Sequence, residues 1–357
     1  MRLLVLLVWI FMAGLTLNAQ TLRDSILVNE RKTDRPLTLH KGQLQFNTGY
    51  EISVISKEYD NSGSTVSLAD MGIASILHKY CLELNYGLLD FIQTSIALNY
   101  ARRGQRHETL YLWTTNSEVP DYEVTYFDEY TGFEDIYLGG VFKVPFETDR
   151  IEITLSPGIS LPLFSNKPDA PENSIVLPTE AQPTTKIVYH SHQRMGNGSL
   201  AVKAGTTFLL RLPGNINVSA RVNYSGPFSV SKSIRWIHQL EGSDFIYDDI
   251  PYEYLLGNTW DYKADMTFPV ISWFSATLSW SGRSTSEGWS EKTGYRIKNP
   301  DVRLSVLSVG YEIIASGRLW ISESMNIPIS GKNQLAPFSI YLGVCYNLFP
   351  FEKRIKY

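Results

Sequence analysis

"NYGLLDFIQTSIALNY" (residues 85–100) is the stretch whose reading decides the fold. Apolar residues arrive at every second position as far as Asn85-Tyr86. The chain then turns through Gly87-Leu88-Leu89-Asp90, and the same alternation leaves through Ile92, Thr94, Ile96, Leu98 and Tyr100. A period of two around a turn bearing Gly and Asp predicts a β-hairpin. One face of the ribbon is apolar and the other polar, so the fold depends on what the apolar face looks at, a protein core or lipid.

The same dyad recurs along the chain. Leu44, Phe46, Thr48, Tyr50, Ile52 and Val54 alternate with Gln45, Asn47, Gly49, Glu51 and Ser53, and further runs begin near Ile76, Ile136, Ile151, Leu200, Ile216, Leu256, Phe274, Leu307, Leu319 and Phe338. This predicts an all-β chain of about 12 strands, each of roughly 10–14 residues, the length of a tilted bilayer-crossing strand. Val306 and Glu323 break the phase of their strands, and a β-bulge in each is expected to restore it. Short turns are expected at 87–90, 146–150, 211–215, 268–272 and 315–318, and long polar loops at 58–72, 102–133, 164–196, 227–254 and 284–302. Short turns at one end and long loops at the other are the layout of a transmembrane antiparallel β-barrel, with periplasmic turns and extracellular loops. Lipid offers no partner to an unpaired backbone edge, so the sheet must close on itself.

The polar face then points inward. Its charged members are Glu51, Lys79, Glu83, Lys143, Glu152, Lys203, Arg211, Arg221, Asp261, Lys263, Asp265 and Glu312, six acidic and six basic. A ring of one sign would indicate ion selectivity; a balanced set leaves open a paired network or a narrow, gated passage. Trp260, Trp273, Trp280, Trp320 and the strand-end tyrosines are expected to form interfacial girdles.

Composition agrees with this reading. Lys and Arg number 32 against 36 Asp and Glu, a net charge of −4 with no concentrated basic field, which excludes nucleic acid as a partner. Residues 1–19 carry Arg2, an apolar run from Leu3 to about Leu15 and Asn18-Ala19, the order of a cleaved signal peptide. The mature chain is thus expected in the outer membrane of a Gram-negative cell, among its lipid and lipopolysaccharide. Residues 20–42 precede the first strand and are expected either to plug the barrel or to hang as a periplasmic leader. The barrel is expected over 43–349, with a C-terminal tail at 350–357.

Two stretches resemble the outer-membrane transporter family grouped with the phenol meta-degradation pathway. "TGFEDIYLGGVFKVPF" (131–146) is similar to its Gly-x-x-Asp…Leu-Gly strand through Gly132, Asp135, Leu138 and Gly139, and "GNGSLAVKAG" (196–205) to its Gly-x-Gly-Ser start through Gly196, Gly198 and Ser199. The resemblance implies passage of small solutes, apolar or aromatic ones included. The last strand, "YLGVCYNLF" (341–349), resembles the insertion signal read by the barrel-assembly machinery, through Gly343, Tyr346 and Leu348. The alternative is a non-conducting structural or adhesive barrel that works through its surface loops.

Chemistry finds little support. His190, Ser191 and His192 cluster in "YHSHQRMGNGS" (189–199), yet neighbours on a strand face opposite ways, so His190 cannot simply activate Ser191. Outer-membrane phospholipase A carries a His-x-Ser pair on a similar barrel, but residue 192 is His where that Ser would stand. No carboxylate or Cys completes a metal set around the two histidines. The acidic aromatic stretches 122–135 and 242–254 lack calcium-loop spacing. No catalytic residue, cofactor or metal is expected.

Overall fold

The computed structural model describes residues 38–39, 41–70, 75–112, 122–145, 150–163, 173–176, 185–192, 198–239, 245–292, 295–316 and 318–348. The signal segment 1–19, most of 20–42, the tail 350–357 and Gly196 lie outside them.

The chain is a closed antiparallel barrel of 12 strands. They are β1 (Leu44–Tyr59), β2 (Ser75–Leu89), β3 (Ile92–Leu112), β4 in two stretches (Tyr122–Phe133 and Ile136–Val144), β5 in two stretches (Ile151–Leu155 and Gly158–Leu161), β6 (Ala201–Leu212), β7 (Ile216–Pro227), β8 (Thr259–Ile271), β9 (Phe274–Thr285), β10 (Val302–Ser316), β11 (Leu319–Lys332) and β12 (Gln334–Asn347). Each pairs with the next, and β1 closes the ring against β12 from Gln45↔Asn347 to Tyr59↔Gln334. Closure removes both edges, which is what allows a sheet to sit in hydrocarbon.

Polarity is inverted relative to a soluble protein. Val54, Leu82, Phe142, Val202, Leu278, Val309 and Leu342 are exposed on the outside, while Ser53, Ser95, Thr154, Thr207, Ser279 and Ser339 are buried on the inside. Leu82 is 50% exposed and Ser279 5%, a contrast only a lipid-facing wall explains. The 85–100 hairpin is β2–β3: Leu84, Tyr86, Ile96 and Leu98 look at lipid, and Asn85, Gln93 and Ser95 hydrogen-bond to one another inside. Tyr50, Tyr80, Tyr100 and Phe133 form a continuous ring ladder across β1–β4 on the lipid side.

Turns form where local chemistry permits. Between β6 and β7, Gly214 (φ 78°) and Asn215 (φ 58°) supply two consecutive left-handed residues, the conformation a tight hairpin needs. On the outer side, β11 reverses into β12 through Asn333 alone (φ 50°). This short outer connection departs from the rule of long outer loops. It is tied down by the Asn333 amide donating to the Asp60 carbonyl (3.1 Å) and by Asn333 Nδ2 donating to the Asp301 carbonyl (3.0 Å).

Four further expectations are corrected. Strand length runs beyond 10–14 residues, to 16 in β1 and 21 in β3. Stretches read as loops contain paired strands: Tyr122–Phe133, Val230–Gln239, Phe245–Leu255 and the hairpin Gly288–Lys292 with Tyr295–Asn299. Above the bilayer both faces of a strand meet water, so pairing no longer needs an apolar alternation. Trp320 is 1% exposed and faces inward in phase with Ser322 and Asn326, leaving Trp260 and Trp280 on the outer wall and Trp273 exposed in the β8–β9 turn. Bulges do occur in β10 and β11, but at Ala315 and Ile329, so they leave the two phase-breakers in place. Val306 points inside. Glu323 points to lipid, opposite Tyr311 and hydrogen-bonded to its hydroxyl.

Candidate functional site

The barrel interior is the candidate site. All twelve charged residues expected on the inner face fall in phase with the buried polar set of their strands. Most are engaged within one wall. Glu152, with a side chain 5% exposed, receives Arg211 at 2.5 Å and Lys143 at 3.4 Å, joining β4, β5 and β6. Lys263 meets Asp265 at 2.6 Å, and Asp265 also accepts from Ser279 (2.5 Å) and Ser219 (3.2 Å). Glu312 is buried on β10.

Two partners in this network were absent from the sequence reading. Glu134 lies in the break of β4 and takes Lys79 at 2.8 Å; an interruption erases the phase that would have placed it. Arg283 pairs with Asp261 at 2.6 Å. Its signal was present, since it shares the phase of Ser279 and Ser281 on β9.

Four of the twelve have no opposite charge within 4.0 Å among the described residues, and they segregate. Glu51 on β1 and Glu83 on β2 carry negative charge on one side; Lys203 on β6 and Arg221 on β7 carry positive charge on the other. Glu83 accepts from Asn47 (3.0 Å), and Arg221 donates to Thr207 (3.3 Å). Lys203 Nζ stands 5.3 Å from the centroid of Tyr137.

A cavity of about 680 Å³ opens between three of these groups, Glu83, Lys203 and Arg221, and is lined also by Tyr137, Thr154 and Arg283 among others. Tyr137 lies across Gly139 and Gly158, so closely that a Cβ on either would collide with its ring. The two glycines thereby hold the ring flat on the wall instead of across the bore. Tyr341 does the same over Gly49 and Gly343.

The glycine-based motif positions are architectural here. Gly139 is the Tyr137 pad, Leu138 faces out, and Gly132 (φ 150°) ends the upper half of β4. Asp135 accepts from the Gly198 amide (3.3 Å), which anchors the start of β6, and Ser199 is buried beside it. The strand Thr185–His192 carries His190 and His192, whose side chains lie outside the described residues. On β12, Gly343 underlies Tyr341, Tyr346 is exposed, and the Leu348 amide donates to the Leu44 carbonyl (2.9 Å). Of the leader, Thr38 and Leu39 are buried at the periplasmic end, where Leu39 N–H donates to Gln93 Oε1 (3.1 Å).

No protein-family model matches the sequence, and no curated protein matches it. Among solved structures, an outer-membrane channel from Pseudomonas putida F1 superposes with a TM-score of 0.60 at 11% identity, covering 88% of this chain and 99% of that one. The toluene transporter TodX of Pseudomonas putida overlaps more loosely, with a TM-score of 0.46 at 10% identity over 90% of this chain and 92% of that one, a fit too loose to bear on this protein. The fold is that of an outer-membrane barrel.

Proposed function

We propose that this chain is an outer-membrane channel that passes a small solute and performs no chemistry of its own. The observation that carries the reading is the polar interior, where the charges pair along the walls and leave a cavity of about 680 Å³ between them. That volume suits small organic molecules, whose sites span roughly 300–1,000 Å³. The Pseudomonas putida channel that shares the fold supports the same reading. For the apolar or aromatic solutes implied by the family resemblance, Tyr137 offers a ring on the cavity wall.

On this reading residues 1–19 are the cleaved export signal, the barrel-assembly machinery engages β12, and outer-membrane lipid with lipopolysaccharide surrounds the belt. The test is conductance of the refolded protein in a planar bilayer, with heat-modifiable gel migration as the check of folding. Stable unitary steps are expected. Their absence from a folded barrel overturns the open-channel reading, and deletion of residues 20–42 then separates a plug from a closed scaffold. The rival reading, an adhesive or structural barrel, draws on the paired strands Val230–Gln239 and Phe245–Leu255 that rise beyond the wall.

A further inference from the structure

The charges left over when the interior pairs are counted do not scatter. Glu83 stands on one wall of the cavity, and Lys203 with Arg221 on another. Of the acids on that side, Asp261 lines the cavity but is paired with Arg283 at 2.6 Å, and Asp135, which keeps its charge because its donor is the neutral Gly198 amide (3.3 Å), does not line it. Glu83 has Asn47 on one oxygen, a neutral donor that leaves its charge uncompensated. The cavity is therefore spanned by a transverse field, negative toward β2 and positive toward β6 and β7. A field of that kind does little to separate small ions by sign. It aligns a molecule that carries both signs.

We infer that the cavity is a subsite for an amphoteric solute of amino-acid type, its ammonium group toward Glu83 and its carboxylate toward Lys203 and Arg221. The inference rests on the channel reading and narrows its solute class. Arg221 presents a planar fork suited to carboxylate. Lys203 supplies a point charge held in place over the Tyr137 ring. The cavity volume accommodates a side chain of aromatic size between the two poles.

Three probes of equal body test this: phenylalanine, 3-phenylpropanoate and phenethylamine, which carry both charges, the anion only and the cation only. Each is measured twice, as half-block of the ion current in a planar bilayer and as binding to detergent-refolded protein by calorimetry. Phenylalanine should bind roughly threefold to tenfold tighter than either analogue, the gain expected from one further screened ion pair. Glu83→Gln should erase its advantage over 3-phenylpropanoate, while Glu83→Asp retains it. Lys203→Gln with Arg221→Gln should erase its advantage over phenethylamine. Equal affinity of the three probes, no measurable binding of any, or discrimination that survives these substitutions in folded protein overturns the proposal. Unitary current without discrimination leaves the channel standing and removes the subsite. Discriminating binding without current removes the open channel and keeps the subsite.

Discussion

Replacing Glu152 by Gln probes the network at its most buried point. The carboxylate is 5% exposed and holds Arg211 at 2.5 Å and Lys143 at 3.4 Å, whose side chains are 20% and 31% exposed. Removing one partner of a fully buried pair costs about 3–5 kcal/mol. Water in the bore screens both cations, and Gln keeps an acceptor for Arg211. The expected loss is therefore about 2 kcal/mol, part of it repulsion between two cations left facing each other. Urea unfolding of the vesicle-inserted barrel, followed by tryptophan fluorescence, reads this as a midpoint lowered by about 1 M. Adding Lys143→Met to Glu152→Gln removes the repulsion and should recover part of the loss. A single-variant midpoint within about 0.2 M of wild type, or a double variant no better than the single, would refute the reasoning.

Three other outcomes are expected. Gly139→Val drives a side chain into the space of the Tyr137 ring, so the ring should swing into the bore and lower unitary conductance; Tyr137→Ala in that background should restore it, and unchanged conductance contradicts the pad role. Glu323→Leu with Tyr311→Phe removes a polar pair from the lipid face and should match or exceed wild-type stability by up to about 2 kcal/mol in vesicle refolding, whereas Glu323→Leu alone strands the tyrosine hydroxyl and should be less stable than the double variant. At the outer rim, Asp301 is held below the usual carboxylate range, first by the hydrogen bond from Lys332 and then by the charges of Lys332 and Arg303. A carboxyl depressed by folding stabilises at pH above its unfolded value, near about 4, and the effect is lost as pH falls through the lower folded value. Protection of the Asn333 amide, taken against the intrinsic exchange rate at each pH, should fall only below about pH 4, and Asp301→Asn should blunt that fall. Because Asp60 shifts the same way through Ser62, some acid sensitivity should remain.

Much of the barrel was legible because lipid imposes one rule on every crossing strand. The phase of Leu82 or Ile96 is enough to aim its side chain outward, and Glu83 or Ser95 inward by default. The rule fails where its cause fails. Above the bilayer Tyr122–Phe133 pairs without an apolar face, so it read as a loop. Glu323 obeys the period and violates the polarity, because Tyr311 satisfies its carboxyl on the lipid side. Trp320 does the reverse, an aromatic residue turned inward. The ion pairs were illegible for another reason: Lys143 and Arg211 meet at Glu152 through a lateral alignment of three strands that no single strand encodes.

The seam between β1 and β12 joins Gln45 to Asn347, nearly the full length of the chain. No ring exists until the final strand is made, so every earlier product of synthesis is an open sheet with two bare edges. Closing so long a loop is slow and leaves those edges open to wrong partners. Closure therefore waits for Tyr346 and its neighbours, and until they pair with β1 both edges stay open to other strands. A chain that loses β12 would be a templating hazard to its own kind rather than a smaller pore.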